Sequence, residues 1–122
     1  MFTVITENDV SQWNDNTGVL YHFPNQYRHH LQPGCKVIYY KGRIRDNAYA
    51  SVRLSNEPHY FGTGEIGKVY NDTASTRNDL YAEIINYQTF TKAVPFKIDN
   101  EYLEVIPDIL AKNYWRNGVK PI

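Results

Sequence analysis

Apolar and polar positions alternate along this chain in short runs, which is the spacing of half-buried β-strands. The clearest run is KVIYYK at 36–41, which is rich in β-branched and aromatic residues. Comparable runs predict strands over 2–5, 19–22, 59–70 and 80–85. Strands therefore dominate the predicted structure.

The predicted helices are few and short. Thr6 has the character of an N-cap for a helix reaching Trp13, and 26–31 fits one or two helical turns. Pro107 suits the first turn of a final helix over 108–114. These elements are too short to alternate with strands as in a doubly wound sheet.

The remaining segments read as connections. Residues 43–57 are polar and predict an arm or a loose hairpin, 71–78 predict a loop, and 94–96 begin a connecting segment. Gly118 could cap the exit of the last helix. The pattern predicts a single domain over 1–122, α+β and mostly β, with two or three short helices, and favours a small mixed or all-β barrel.

Three glycines, Gly62, Gly64 and Gly67, spell G-x-G-x-x-G, the letters of a dinucleotide-binding turn. That turn must open a helix whose N-terminus holds the pyrophosphate. Here the apolar alternation continues as a strand to Tyr70. We therefore expect no dinucleotide cofactor, and instead a strand that bends or approaches its neighbour closely at its glycines.

Length and composition fit one packed domain. The chain has 122 residues, of which 42% are hydrophobic and 21% charged. No apolar run approaches the roughly 18 residues that would cross a membrane, and the N-terminus does not resemble a secretion signal. With Cys35 as its only cysteine, the chain is expected to be cytoplasmic.

The net charge is zero, but the basic residues are concentrated. Six of them and a single acid, Asp46, lie between Val19 and Asn56. A neutral protein can thus present one basic face to phosphates. The alternative is that these charges are spread over solvated strands.

No motif predicts catalysis or metal binding. The histidines at 22, 29, 30 and 59 and the lone Cys35 have no recognised zinc spacing, and no nucleophile motif surrounds Cys35. We expect no metal, no cofactor and no enzymatic activity of the chain alone.

Aromatic residues are abundant, at 15% with 11 tyrosines. They cluster with cations in YHFPNQYR (21–28) and YYKGR (39–43). Aromatic faces stack on nucleobases, contributing about 1–3 kcal/mol each, while arginine and lysine hold phosphates. Each ring could equally be a core residue.

At these motifs the sequence resembles PUA-like domains, in particular the EVE and SRA-like readers of modified bases. The resemblance rests on PGCKVIYYKG, YFGTGEIGKVY, YHFPNQY and LYAEIINYQTFTKAVPF, and spans 19–122. Cys35 departs from it, since an aspartate is common there. Similar modules occur at the N-termini of modification-dependent restriction endonucleases, often fused to an HNH nuclease.

The resemblance implies a PUA-like barrel that binds duplex DNA and flips a modified base, such as a methylated one, into an aromatic pocket. The implied pocket residues are Tyr21, His22, Phe23, Tyr27, Tyr39, Tyr40, Tyr60, Phe61, Gly62 and Gly64. The implied phosphate contacts are Arg28, Lys41, Arg43 and Arg45. Trp13 and Trp115 are further wall candidates, although a core role is expected for each.

Nuclease activity would then belong to an absent domain or partner of a restriction system. Two other functions remain open at this point: an RNA-binding PUA-like module, and a domain that binds a small molecule or another protein.

Overall fold

The computed structural model of the protein describes residues 2–9, 15–106 and 114–121. In chain order the strands are β1 (Phe2–Thr6), β2 (Leu20–Phe23), β3 (Lys36–Lys41), β4 (His59–Asn71), β5 (Leu80–Pro95), β6 (Lys97–Ile98), β7 (Glu101–Tyr102) and β8 (Val119–Pro121). Within these residues three 3₁₀ helices occur, at Asn25–His30, Asn47–Val52 and Tyr114–Arg116. The prediction of a mostly β structure with few short helices is confirmed.

Six strands form one curled, half-barrel sheet in the order β2-β5-β4-β3-β1-β8. Neighbouring strands are antiparallel except β1 and β3, which are parallel. The two edges of the sheet approach each other through Tyr21 of β2. Its hydroxyl lies 3.1 Å from the carbonyl oxygen of Thr6 and 3.3 Å from that of Gly118, which precedes β8. Strands β6 and β7 pair separately as a small hairpin.

Both faces of the sheet are apolar, as the alternation along β3 illustrates. Val37 and Tyr39 point into the main core, which also contains Phe61. Ile38 and Tyr40 point to the opposite face. There Tyr40 belongs to a second core, whose buried members are Val4, Tyr40 and Tyr60 and whose flanking apolar residues are Ile38, Phe90, Val94, Phe96 and Trp115. A side chain on either face of β3 is thus covered.

The glycine-rich segment lies inside β4, as predicted, and opens no helix. A Cβ at Gly62 would lie 2.9 Å from the carbonyl oxygen of Gln88 and 3.0 Å from the Tyr87 ring on β5. A Cβ at Gly64 would lie 2.8 Å from the Ile84 side chain. These two glycines therefore let β5 approach β4 closely, and the pairing register shifts beside both.

Several local predictions were wrong. Of the two alternatives for residues 43–57, an arm or a loose hairpin, the hairpin is wrong: the segment contains the 3₁₀ helix Asn47–Val52, with a bond from the Ile44 amide to the Asn56 carbonyl oxygen (2.8 Å). The segment 94–96 does not begin a connection at Val94, because β5 continues to Pro95, and the hairpin β6–β7 was not predicted.

The ends of the chain also differ from expectation. Thr6 is the last residue of β1 and caps no helix. The rest of the helix predicted to reach Trp13, at 10–13, and most of the final helix predicted over 108–114 lie outside the described residues. Gly118 leads directly into β8, a strand that the sequence pattern did not reveal.

Candidate functional site

A cavity of about 430 Å³ opens where β3 ends, on the face of the sheet that carries the second core. Three aromatic side chains, Tyr40, Tyr49 and Trp115, contribute to its wall. We call it the aromatic cavity. Its full lining is Thr6, Asn8, Asp9, Tyr40, Gly42, Arg43, Ile44, Arg45, Asp46, Tyr49, Arg53 and Trp115.

Three separate elements bring these rings together. Tyr40 is held in β3 and Trp115 in the 3₁₀ helix Tyr114–Arg116, with ring centroids 5.5 Å apart and planes inclined by 32°. Tyr49 comes from the 3₁₀ helix Asn47–Val52. Asp46 caps the start of this helix, because its side chain accepts a hydrogen bond from the Ala48 amide (2.9 Å). The cavity wall thus depends on contacts that are distant in sequence.

A fixed carboxylate lies at the edge of the cavity. Arg53, whose side chain is 1% exposed, donates from Nη1 to Oδ2 of Asp9 at 2.6 Å, and Lys41 donates to Oδ1 at 3.1 Å. Burial alone would raise the pKa of Asp9, but the hydrogen bonds from Arg53 and Lys41 outweigh it and lower that pKa. Asp9 therefore remains ionised and keeps its orientation.

Two cations at the rim are exposed. Arg43 pairs with Glu57 at 2.8 Å, but both side chains are more than half exposed, so the pair adds little stability and can open. Arg45 also lines the cavity and is exposed. Both guanidinium groups are exposed, and each can contact a phosphate backbone passing over the cavity once the Arg43–Glu57 pair opens.

The aromatic wall is backed by a buried ion pair. Lys120 and Glu104, each with a side chain 3% exposed, lie 3.1 Å apart. The Lys120 ammonium is 4.0 Å from the centre of the Trp115 ring and 4.8 Å from that of Tyr40. Burial, followed by the Glu104 charge, raises the pKa of Tyr40 to about 12, so this ring stays neutral. The pair fixes both rings from behind.

A second cavity, of about 390 Å³, adjoins the first and shares Asn8, Asp9 and Tyr49 with it. We call it the acidic cavity because Glu7 and Asp15 also line it. Burial raises the pKa of both carboxyls, that of Asp15 to about 6, and the Glu7 charge adds to the shift at Asp15. Its full lining is Glu7, Asn8, Asp9, Asp15, Thr17, Lys41, Tyr49 and Val52.

Of the residues predicted from sequence, the aromatic cavity brings together Tyr40, Arg43 and Arg45. Lys41 lines the adjoining acidic cavity. Tyr60 packs against Tyr40 in the second core, with ring centroids 5.6 Å apart, but does not line the cavity.

The other predicted pocket residues lie elsewhere. The main core contains Tyr21, Phe23, Tyr39 and Phe61, with Tyr27 packed against it. His22 is buried and bonds to Asp72 through Nε2 at 2.9 Å. Gly62 and Gly64 lie in β4 against β5, and Arg28 lines a third cavity at the other end of β3.

Sequence reasoning missed Asn8, Asp9, Tyr49 and Arg53. It named Trp115 as a further wall candidate but favoured a core role for it, and Trp115 lines the cavity. The available signal was Tyr49 itself, an aromatic residue among the arginines of a polar segment. Asp9 and Arg53 gave no signal, because their pairing crosses 44 residues.

The described ranges contain no group of three histidine, cysteine, aspartate or glutamate side chains arranged to hold a metal. Across the same residues no helix is both long and apolar enough to traverse a bilayer. Comparison of the chain with protein-family models, with curated proteins and with solved structures yields no match.

Proposed function

We propose that this protein is a DNA-binding module that recognises a modified base, such as a methylated one, turned out of the duplex into the aromatic cavity. The observation that carries the proposal is the cavity itself: three aromatic rings, a fixed carboxylate and two exposed arginines meet at one opening. Its volume lies within the range of about 300–1,000 Å³ typical of small-ligand sites.

Each part of the cavity has a role in this proposal. The rings of Tyr40, Tyr49 and Trp115 offer faces and edges to a planar base. Asn8 and the ionised Asp9 offer acceptors, and Asn8 also a donor, for the polar edge of the base. Arg43 and Arg45 would hold the backbone beside the extruded nucleotide.

The resemblance to PUA-like readers supports the same function. In that setting the module would direct a fused or associated nuclease of a cytoplasmic restriction system to modified DNA. The cavity also suits an unpaired RNA base, so RNA must be included in the test.

The decisive experiment is a binding panel of short duplexes that are unmodified or carry methylated cytosine, hydroxymethylated cytosine or methylated adenine, with single-stranded RNA as a further probe. We expect one modified duplex to bind tightest, with affinity falling as salt rises. Equal binding of all the duplexes would refute the proposal, and a preference for RNA would replace it with an RNA-binding function.

Substitution of Tyr49 tests whether the cavity is the reader. Tyr49→Ala removes one ring and should weaken binding of the preferred duplex by about 5- to 150-fold. Tyr49→Phe keeps the ring and serves as the matched control, with binding near that of the unsubstituted protein. If Tyr49→Ala left the preference unchanged, the base would be read elsewhere.

A further inference from the structure

A third cavity, of about 500 Å³, lies at the end of β3 opposite the aromatic cavity. We call it the Tyr70 cavity. The segment before β3 contributes Leu31, Gln32 and Pro33, whereas the aromatic cavity is lined by residues at and after the end of that strand. Its full lining is Arg28, Leu31, Gln32, Pro33, Val69, Tyr70, Asn71 and Leu80.

Tyr70, one of the residues that line this cavity, ends a row of three stacked rings. His22 stacks on Tyr81 with centroids 4.3 Å apart and planes inclined by 10°, and Tyr81 stacks on Tyr70 at 5.6 Å and 26°. The lining includes Tyr70 but neither Tyr81 nor His22, so the cavity meets the end of the row. Tyr70 is 39% exposed there.

The row is held in place from its other end. Asp72 lies 2.9 Å from Nε2 of His22, and Asp15 accepts a bond from the His22 amide at 2.7 Å. His22, Tyr81 and Tyr70 also lie on three neighbouring strands with fixed registers. Tyr70 is therefore an anchored, partly exposed ring, which is the form that aromatic stacking platforms for bases take.

The charge at this cavity favours an anion. Arg28 is exposed on the 3₁₀ helix Asn25–His30, which ends in Arg28, His29 and His30 and has no acid in its first turn. No ion pair of Arg28 occurs within 2–9, 15–106 and 114–121. Two carboxylates follow or precede lining residues in the chain, and both have partners. Asp72 pairs with His22, and Asp79 accepts from Ser75 and Arg77.

We infer that the Tyr70 cavity is a second nucleic-acid contact, in which a nucleotide outside the flipped one stacks on Tyr70 while Arg28 holds its phosphate. This inference rests on the proposed function, because it extends the same bound strand from one cavity to the other. A ring beside a cation is the arrangement that sequence-tolerant contacts to nucleic-acid strands use.

The length of β3 gives an estimate of the DNA needed to reach from one cavity to the other. β3 separates them by six residues, or about 20 Å at roughly 3.3 Å per residue. B-DNA advances about 3.4 Å per base pair, so the span corresponds to about six base pairs. According to this inference, only one of the two duplex arms, the stretches of base pairs on either side of the flipped base, reaches Arg28.

Three substitutions test the contact in the full chain, on the duplex that binds tightest in the panel. Arg28→Ala should weaken binding and reduce the salt dependence, changing the slope of log K against log [salt] by about 0.9. Tyr70→Ala should weaken binding by about 5- to 150-fold, whereas Tyr70→Phe should bind like the unsubstituted protein. Lys92→Ala is the matched control, because it removes an exposed positive charge that lines none of the three cavities.

Duplex length separates a direct contact from an indirect effect. Shortening one duplex arm below about six base pairs should weaken binding by the unsubstituted protein, and its affinity should then equal that of Arg28→Ala. Shortening the other arm should change neither the affinity nor the difference between the two proteins. Equal thermal unfolding midpoints would confirm that each variant is folded.

The outcomes distinguish the two proposals. If modified DNA is preferred but Arg28→Ala and Tyr70→Ala bind like Lys92→Ala, the second contact is refuted and the reader function stands. If modified DNA is not preferred, the reader function fails, and the same comparison on unmodified DNA decides the second contact. Absence of any DNA binding at low salt would overturn both.

Discussion

Replacing Lys120 by methionine should destabilise the fold by about 3 kcal/mol, because it breaks the buried ion pair behind the aromatic cavity. Methionine keeps the length of the side chain and removes its charge. Glu104, with its side chain 3% exposed, would then retain an uncompensated negative charge. Removing one partner of a buried pair costs about 3–5 kcal/mol.

The lower end of that range applies here for a structural reason. Glu104 also accepts hydrogen bonds from the Tyr60 hydroxyl and from the Tyr114 hydroxyl, the latter at 2.7 Å. These donors continue to stabilise the carboxylate when Lys120 is absent.

The reverse substitution, Glu104→Gln, leaves Lys120 against the rings of Tyr40, Tyr114 and Trp115, at 4.8, 4.7 and 4.0 Å. The cation–π contacts then offset part of the loss. The double substitution should cost less than the sum of the single ones, by about 1–3 kcal/mol.

Urea unfolding at pH 7 measures these differences. With a slope of about 1–3 kcal/mol/M, Lys120→Met should lower the midpoint by roughly 1–3 M. Lys36→Met is the matched control, since Lys36 pairs with Glu65 while its own side chain is 52% exposed, and it should change stability by less than about 1 kcal/mol. A Lys120→Met midpoint equal to that of the control, or fully additive single substitutions, would refute the reasoning.

Two further predictions concern stability. Gly62→Ala should cost about 1–3 kcal/mol in unfolding free energy, because its Cβ would press on the Gln88 backbone. Gly67→Ala should be nearly neutral, because the nearest atom to its Cβ, at 3.2 Å, is the Cγ2 methyl of the exposed Ile85. Equal losses for the two variants would contradict this. Asp15 has a folded pKa of about 6 against an ordinary 3.8, so its contribution to stability is present below pH 4 and lost as the pH rises through 6. The unfolding free energy of Asp15→Asn relative to the unsubstituted protein should therefore rise between pH 4 and pH 6, and a constant difference would exclude the shift.

Local pattern predicted the two central strands, β3 and β4, well. The bounds of β3 at Lys36–Lys41 match the prediction, and β4 at His59–Asn71 exceeds it by one residue. Prediction failed where pairing is distant, as for β8, which joins the sheet only through β1, more than a hundred residues earlier. Its three residues carry no periodicity of their own.

The position of the candidate site was less predictable than the fold, because both faces of the sheet are covered. Alternation correctly separates Tyr39 from Tyr40, but it cannot decide which of the two faces carries a cavity. The position of the cavity depends on Trp115, near the end of the chain, and on Tyr49, in the polar segment 43–57. The same ambiguity applies to Tyr60 and Phe61, which lie in different cores.

The two-sided sheet also explains why the glycine-rich strand lies beside the aromatic cavity without lining it. Gly62 and Gly64 allow β5 to press against β4, and the resulting register shifts accompany the curl of the sheet. Tyr60, two residues before Gly62, then packs on Tyr40 and donates to Glu104. The glycines therefore affect the site indirectly, because they shape β4, the strand whose Tyr60 supports the cavity wall. It follows that substitutions in the main core should lower stability without a selective effect on binding, whereas those at the exposed edge of the cavity should alter binding first.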